Sequence, residues 1–324
     1  MQTKNIETKK NIVVIGGGTG TYTVLSGLKK YPNVWPTAIV TMADDGGSTG
    51  ALRTSMGVLP GGDIRRALVA LSEAEAEESL LKLFNYRFPS GAVEEHSFGN
   101  LFLAALEKIY GGFDDAVDEA SKILRVRGSV IPVTLDNVRL HARYKDGLEV
   151  HGETNIDIPK HDASLHIEKV WLDPAGRLNA KARDAITRAH LVVIGPGDLY
   201  TSIVPNLLVE GMREALRDTK ARKVYIVNVM TKRGETHGFL AHHFVEAIEQ
   251  YLGKGVLTHV LYNTAEPHKE HLDPYEKEGA AFVRCDVSCL PRDAYHCAPH
   301  DVLAEGSLIR HDPDKLARAL LSIV

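Results

Sequence analysis

One short segment near the start of the chain limits the possible folds more than any other. Residues 11–15 (NIVVI) contain four successive apolar, β-branched residues, and GGGTGT follows at once at positions 16–21. Continuous apolar runs of this length are typical of strands buried in a parallel sheet. Glycines between such a strand and the helical pattern of Val24, Leu25 and Leu28 indicate a tight strand-to-helix turn. The segment therefore predicts a β–turn–α unit.

Further strand and helix patterns follow along the chain. Apolar strand patterns recur at 37–42, 191–194, 224–227 and 256–261. Helical patterns between strands favour a mostly parallel sheet, so we predict a three-layer α/β/α, Rossmann-like fold. From about 128 to 178 the pattern is that of antiparallel strands, with Asp146-Gly147 as a hairpin turn. We predict this stretch to be an insertion within a single domain spanning 11–324, preceded by a disordered tail at 1–10.

Composition and charge exclude several classes of protein. The 324 residues include 38 basic and 42 acidic side chains, a formal net charge of -4. Proteins that bind nucleic acids usually have a basic excess, so we expect no nucleic-acid partner. The Lys-rich start lacks the apolar region of a signal peptide, and no apolar run is long enough to span a bilayer. Three cysteines are too few for a secreted disulfide scaffold, and we expect a cytoplasmic protein.

Two glycine-rich turns are candidate ligand sites. Residues 16–21 would bring backbone N–H groups and a helix N-terminus close to a phosphate, although neither a complete GxGxxG nor a Walker A loop is present. Residues 195–202 (GPGDLYTS) follow a later strand in the same way. Ligands of parallel sheets bind at the carboxyl ends of the strands, so both turns are predicted to open on one crevice that holds a diphosphate. The alternative is that they are plain turns and helix caps.

Charged residues that could belong to a ligand site follow the second predicted strand. Asp44 and Asp45 precede Gly46-Gly47, and such a carboxylate pair can hold Mg²⁺, bond a ribose or accept a proton. An Asp before glycines is also a common turn signal. Arg65 is a candidate phosphate ligand, because arginine pairs bidentately with phosphate. Asp63 is predicted to be the N-cap of the helix that starts there.

Several of these motifs together resemble one family. They are GGGTGT (16–21), TMADDGGSTGALR (41–53), PGGDIR (60–65), NYRF (85–88), HSFGNL (96–101), GPGDLYTSIVPNLL (195–208), NVMTKRGET (228–236) and IRHD (309–312). The chain is similar to the YvcK/CofD-like family and, within it, to the YvcK branch of gluconeogenesis-factor proteins. The resemblance implies a nucleotide-binding α/β/α core that binds UDP-sugars such as UDP-N-acetylglucosamine, with a role in carbon metabolism and cell-wall morphogenesis. In the CofD branch it implies Mg²⁺-dependent transfer of a 2-phospholactyl group to a deazaflavin.

The resemblance also implies the residues of the site. Asp44 and Asp45 match the family's acidic pair, a candidate metal or base position. The nucleotide-binding positions that it implies are Gly17, Gly18, Thr19, Gly20, Gly195, Gly197, Tyr200, Thr201, Asn228, Thr231, Tyr275 and Arg310. Three departures from the family pattern matter. Gly61 stands where the family usually has a second Pro, and Arg66 stands where Asn is usual. Lys232-Arg233 replaces the usual Gln-Pro and adds positive charge near the predicted crevice.

The function expected from the sequence is that of a nucleotide-sugar-binding regulator without catalytic activity. Its partner would be a UDP-sugar or a related dinucleotide, and we expect a homo-oligomer. No cofactor is expected apart from Mg²⁺. The alternative is a CofD-like Mg²⁺-dependent 2-phospholactate transferase. An NAD-linked dehydrogenase is disfavoured, because the dinucleotide fingerprint is incomplete.

Overall fold

The chain is described here from a computed structural model, which covers residues 9–73, 78–91, 93–94, 96–286 and 294–324. Most of the predicted disordered tail, residues 1–8, lies outside the described residues. The predicted tail nevertheless ends too late, because Lys10 already belongs to the first strand and its backbone N–H donates to the carbonyl oxygen of Asn33.

The structure contains two β-sheets. Their strands are β1 (Lys10–Gly16), β2 (Val34–Val40), β3 (Ser129–Pro132), β4 (Arg139–Tyr144), β5 (Glu149–His151), β6 (Ile167–Asp173), β7 (Leu191–Ile194), β8 (Arg222–Ile226), β9 (His259–Asn263) and β10 (His296–His300). Seven strands form one sheet in the order β10-β9-β8-β7-β1-β2-β3, and every neighbouring pair is parallel. The predicted α/β class with a parallel sheet is therefore confirmed.

Helices connect the strands and cover the large sheet. They are α1 (Gly18–Leu28), α2 (Gly47–Met56), α3 (Gly62–Leu71), α4 (Glu78–Asn85), α5 (Phe98–Tyr110), α6 (Phe113–Ile123), α7 (Glu153–Asp157), α8 (Ala180–Thr187), α9 (Val204–Leu207), α10 (Met212–Asp218), α11 (Ala241–Leu252), α12 (Lys269–Lys277) and α13 (Pro313–Ile323). No helix in the described part of the chain has the length and apolar character needed to cross a bilayer.

The two central strands of the large sheet, β1 and β7, lie in the core of the protein. In β1 and β7 the side chains from Ile12 to Ile15 and from Leu191 to Ile194 are at most 1% exposed. β-branched residues dominate both runs because the two strands are covered on both faces. The two strands are also direct neighbours, with Ile15 opposite Ile194.

The strand order reverses between these two strands. From β1 the chain continues to β2 and β3 on one side, whereas from β7 it continues to β8, β9 and β10 on the other. Such a reversal leaves a crevice outside the carboxyl ends of the two central strands. The two glycine turns predicted from the sequence follow these two carboxyl ends, so the topology alone puts them side by side.

The antiparallel stretch is shorter than its pattern predicted. Residues 129–132 form β3, which pairs parallel with β2 and completes the large sheet. The separate three-stranded antiparallel sheet, in the order β5-β4-β6, runs from Arg139 to Asp173. The two differ in burial, because three successive residues of β3 are buried whereas β4 buries every second residue. We call the segment 139–173, with its helix α7, the insertion.

The packing of α1 against α13 yields a stability prediction. A Cβ atom at Gly27 in α1 would lie 2.0 Å from the carbonyl oxygen of Pro313 and 3.1 Å from Cβ of Ala317. We expect Gly27→Ala to lower the free energy of unfolding by about 1–3 kcal/mol, because two backbones would have to separate. Urea denaturation of the variant and the wild type measures this difference in the free energy of unfolding.

The control is Gly112→Ala at the N-cap of α6, where φ is -154° and the nearest atom to a new Cβ is a flexible carboxylate oxygen at 3.4 Å. Equal stability of the two variants would show that α1 and α13 are not in the close contact described.

Candidate functional site

The two glycine turns touch each other across the strand reversal. The first turn follows β1, and α1 begins at Gly18 with φ +65°. The second follows β7, with φ +75° at Gly195. A Cβ atom at Gly20 would lie only 2.0 Å from the carbonyl oxygen of Pro196. Only glycine permits this approach, so the first helix turn and the second glycine turn form one continuous surface.

This surface is the floor of a polar cleft of about 560 Å³. Gly17, Gly18, Thr19 and Gly20 line it from the first turn, and residues 197–202 contribute Gly197, Asp198, Thr201 and Ser202. The prediction that both turns open on one crevice is therefore confirmed. A cleft of this size falls within the range of roughly 300–1,000 Å³ that is usual for small-molecule sites.

One side of the cleft carries carboxyl groups, which we call the carboxyl wall (Asp44, Asp63 and Glu153). Asp44 follows β2, and its Oδ1 accepts from the backbone N–H of Gly46 at 2.9 Å. Asp63 accepts from the backbone N–H of Gly18, so it ties α3 to the first glycine turn. It was predicted to cap α3, but that prediction is wrong: the N-cap is Gly61, two residues earlier, and Asp63 lies in the first turn of the helix.

The carboxyl groups of this wall favour the binding of a cation. Burial, and then the charge of Asp44, raises the pKa of Asp63 to about 6. Burial, followed by the charges of Asp44 and Asp157, raises the pKa of Glu153 to about 9. Burial also raises the pKa of Asp44. A bound cation would reverse these shifts, because it stabilises the ionised carboxylates.

The predicted acidic pair does not act as a pair. Asp45 turns away from the cleft, and its Oδ1 accepts from both the backbone N–H and the hydroxyl of Thr154, each at 2.9 Å. It therefore fastens the insertion to the core. Mg²⁺ is usually held by one or two carboxylates together with phosphate oxygens. Asp44 and Asp63 line the cleft, where a carboxylate could contribute to that donor set, whereas Asp45 does not line it.

Three arginines also line the cleft, and we call them the arginine wall (Arg65, Arg66 and Arg87). Arg65 donates to Oδ1 of Asn85 at 2.7 Å, but its buried Nε has no hydrogen-bond partner among the described residues. Arg66 forms an ion pair with Asp63 at 3.2 Å. Arginine beside a helix N-terminus is well suited to an anionic ligand.

A smaller compartment of about 220 Å³ continues the cleft beyond the two turns. It shares Thr19, Gly20, Gly197 and Asp198 with the main cleft and adds Asn228, Arg310 and His311. The Nδ2 group of Asn228 donates to the carbonyl oxygen of Gly197 at 2.8 Å, while its buried Oδ1 has no partner in the described part of the chain. Here an amide acceptor and an arginine lie next to the glycine turns.

Other residues implied by the resemblance lie outside the cleft surface. Tyr200 is 5% exposed, and its backbone N–H donates to Glu235. Thr231 is buried, and its hydroxyl accepts from the backbone N–H of Ala281. The hydroxyl of Tyr275 accepts from the backbone N–H of Ile309, the residue before Arg310. None of these three residues lines the cleft: Thr231 and Tyr275 position backbone segments through their hydroxyl groups, and Tyr200 is held through its own backbone N–H.

Some residues of the cleft escaped the sequence analysis. Glu153 and Asp157 line it from α7, far along the chain from either glycine turn, and no motif surrounds them. Buried Asn206 donates through Nδ2 to the carbonyl oxygen of Gly16 at 3.3 Å and so fixes the end of β1. A signal for Asn206 was present, since it lies within the segment 195–208 that carries the family resemblance.

Comparison with known proteins identifies the relatives of this chain. Residues 12–303 match the family described as 2-phospho-L-lactate transferase CofD. The gluconeogenesis factor of Halalkalibacterium halodurans is 43% identical over 317 residues, covering 97% of this chain and 96% of that protein. The gluconeogenesis factor of Listeria innocua is 41% identical over 321 residues, covering 98% and 97% respectively.

A solved structure shows the same fold. The crystal structure of a Bacillus halodurans protein, a member of the UPF0052 family, superposes with a TM-score of 0.91 at 41% sequence identity. The match covers 97% of this chain and 100% of that one. The cleft described above is thus built on a fold that these relatives share along nearly their whole length.

The compartment beside Arg310 generates a pH prediction. His311 is buried, and its Nε2 donates to the carbonyl oxygen of Val227 at 3.3 Å. Burial lowers its pKa from 6.5 to about 4. Between pH 6.5 and 4, His311 is therefore protonated in the unfolded chain but neutral in the folded chain. Because the unfolded chain binds the extra proton, the free energy of unfolding falls as the pH falls through this window.

The measurement is urea denaturation at pH 7 and pH 4 for the wild type and His311→Gln. Between pH 7 and pH 4, we expect the free energy of unfolding of the variant to fall by roughly 3 kcal/mol less than that of the wild type. Other groups that titrate in this window, such as Asp63, cancel in the comparison. An identical loss in both proteins would contradict the burial of a neutral His311.

Proposed function

The chain belongs to the CofD family, and from this premise we propose that its cleft binds a nucleotide sugar of the UDP-N-acetylglucosamine type. The protein would act as a regulator of carbon metabolism and cell-wall morphogenesis, as the gluconeogenesis-factor resemblance implies. One observation carries the proposal: two adjoining glycine turns at the strand reversal form the floor of a single cleft whose side carries arginines.

The diphosphate of such a ligand fits the first glycine turn. The backbone N–H groups at the N-terminus of α1 lack partners within the helix, and the helix dipole favours negative charge there. Arg65 and Arg66 supply positive charge within the same cleft. The buried Nε of Arg65 is a donor in need of an acceptor, and a phosphate oxygen supplies one.

The nucleoside or sugar end fits the smaller compartment. Buried Oδ1 of Asn228 needs a donor, and both the N–H of a pyrimidine base and the hydroxyls of a sugar provide one. Arg310 is exposed at the same compartment and adds charge next to the turns. A ligand with phosphates at its centre and hydrogen-bonding groups at its end would use both compartments.

A second candidate function is supported by the carboxyl wall and by the family match. Asp44 and Asp63 could hold Mg²⁺ against a phosphate, as a 2-phospholactate transferase acting on a deazaflavin would need. The bound Mg²⁺ would neutralise the charge of the phosphate group, while the first glycine turn would orient it.

Isothermal titration with UDP-N-acetylglucosamine, with and without Mg²⁺, separates the two candidates. A binding regulator gives saturable binding and leaves the ligand unchanged on chromatography. A transferase gives product from an activated 2-phospholactate donor and a deazaflavin only when Mg²⁺ is present. Absence of heat with every uridine nucleotide would remove the first proposal, and absence of product would remove the second.

Replacing Arg310 tests the smaller compartment. We expect Arg310→Ala to weaken the binding of UDP-N-acetylglucosamine by roughly 1–3 kcal/mol, because a charge-assisted hydrogen bond is lost. Arg318→Ala is the matched control, since Arg318 is an exposed arginine on α13 and does not line the cleft. Equal affinity of the two variants would take Arg310 out of the site.

A further inference from the structure

Three carboxylates from distant parts of the chain converge next to the cleft. Asp157 belongs to α7 of the insertion, Asp198 to the second glycine turn, and Glu235 to the segment 228–236. One oxygen of each lies within 4.8 Å of the others, the spacing of ligands around a single metal ion. We call this group the acidic triad.

An ammonium group already lies at the centre of the acidic triad. Lys232 Nζ contacts Asp157 Oδ1, and it lies 2.8 Å from Asp198 Oδ2 and 3.1 Å from Glu235 Oε1. The ammonium group donates hydrogen bonds to Asp157 and Asp198 and forms an ion pair with Glu235, so it joins all three carboxylates. Burial alone would lower the pKa of Lys232, but the charges of Glu235, Asp198 and Asp157 raise it instead, so the lysine is charged.

Glu235 is the member of the acidic triad that depends most on this charge, because burial raises the pKa of its carboxyl group and the charge of Lys232 opposes that rise. Its side chain is fully buried. Its Oε2 accepts from the backbone N–H of Tyr200 at 3.0 Å, and its Oε1 accepts from the hydroxyl of Thr201 at 3.1 Å. Neither of these donors carries a charge. A buried carboxylate without a charged partner is strongly destabilising, and Lys232 is the charged partner that contacts it.

We propose that Lys232 is a built-in counter-ion that takes the place of a divalent cation in the acidic triad and thereby fastens the insertion and the second glycine turn together. The proposal does not depend on which ligand the cleft binds. It accounts for the Lys at position 232, whose extra charge is not directed to the cleft but is matched by these carboxylates.

The role has a consequence for the cleft. Asp157 and Asp198 both line it, and without Lys232 they would add two uncompensated negative charges next to the glycine turns. With Lys232 present, one of the three negative charges of the acidic triad is balanced without a metal ion. Lys232 is therefore a positioning residue, which acts on a ligand only through the residues that it holds.

Thermal melting of K232M in EDTA and in Mn²⁺ tests the proposal. We expect a melting temperature roughly 5–10 °C below that of the wild type in EDTA, because Glu235 loses its counter-ion. Mn²⁺ should restore part of this loss, since the three oxygens are already arranged around one point. Titration with Mn²⁺ should show one more bound ion per chain than in the wild type.

Two further variants serve as controls. K232M/E235Q removes the buried carboxylate together with the lysine, so it should regain stability in EDTA and lose the extra Mn²⁺ response. K315M removes a lysine that bonds one carboxylate, Asp301, and one carbonyl oxygen, that of Leu303, both at 2.9 Å. It should lose stability without any gain from Mn²⁺ beyond that of the wild type. Mn²⁺ bound at the carboxyl wall would stabilise the wild type and the three variants equally, because none of the substitutions changes that wall.

Several outcomes would overturn the proposal. One is a K232M chain as stable in EDTA as the wild type. Another is a K232M chain that gains no more from Mn²⁺ than K315M does. A third is a K232M chain that stays unfolded with and without Mn²⁺ while the double variant folds. Folding of K232M only in the presence of Mn²⁺ would support it.

Discussion

The contact between the first helix turn and the second glycine turn is the constraint on which the site depends. β1 and β7 are neighbours in the sheet, and the chain leaves them toward opposite edges. Both turns must therefore share the space above two adjacent strand ends, and the 2.0 Å between a Cβ at Gly20 and the carbonyl oxygen of Pro196 shows how little room remains. A side chain here would part the two turns, and the floor of the cleft would open. The glycines are thus needed for packing as well as for any approach of a phosphate.

Charge balance is the second constraint, and it joins the insertion to the core. Asp45 accepts two hydrogen bonds from Thr154, and Asp157 contacts Lys232. Both ends of α7 are fixed in this way, so the insertion supplies the cleft with Glu153 at a defined place. Burial raises the pKa of Glu153 to about 9 and that of Asp63 to about 6, so at neutral pH Glu153 holds its proton whereas Asp63 is ionised beside Arg66. A cation could bind an ionised carboxylate of the carboxyl wall, and a hydrogen-bond acceptor could bind a protonated carboxyl group.

Local patterns predicted the parts of the fold that depend on neighbouring residues. The run at 11–15, the glycines after it and the turn at 195–202 were enough to predict parallel strands and a shared crevice, because strand polarity and topology decide where strand ends meet. The direction of a side chain was not predictable in the same way. Asp44 and Asp45 are adjacent, yet only Asp44 lines the cleft, since Asp45 binds Thr154, more than a hundred residues away. Thr231 and Tyr275 likewise bond segments that no local pattern connects to them.

The acidic triad illustrates why a cluster of carboxylates has to be interpreted together with its counter-ions. Its three oxygens satisfy the spacing of a metal site, but spacing alone does not determine which cation lies between them. An ammonium and a divalent ion make similar electrostatic demands on their surroundings, but the ammonium adds three directed donors and is bound to the chain. A resident lysine therefore confers the cohesion of a metal site at every metal concentration. The carboxyl wall differs in this respect, because the charged neighbour of Asp63 is an arginine, Arg66, at 3.2 Å.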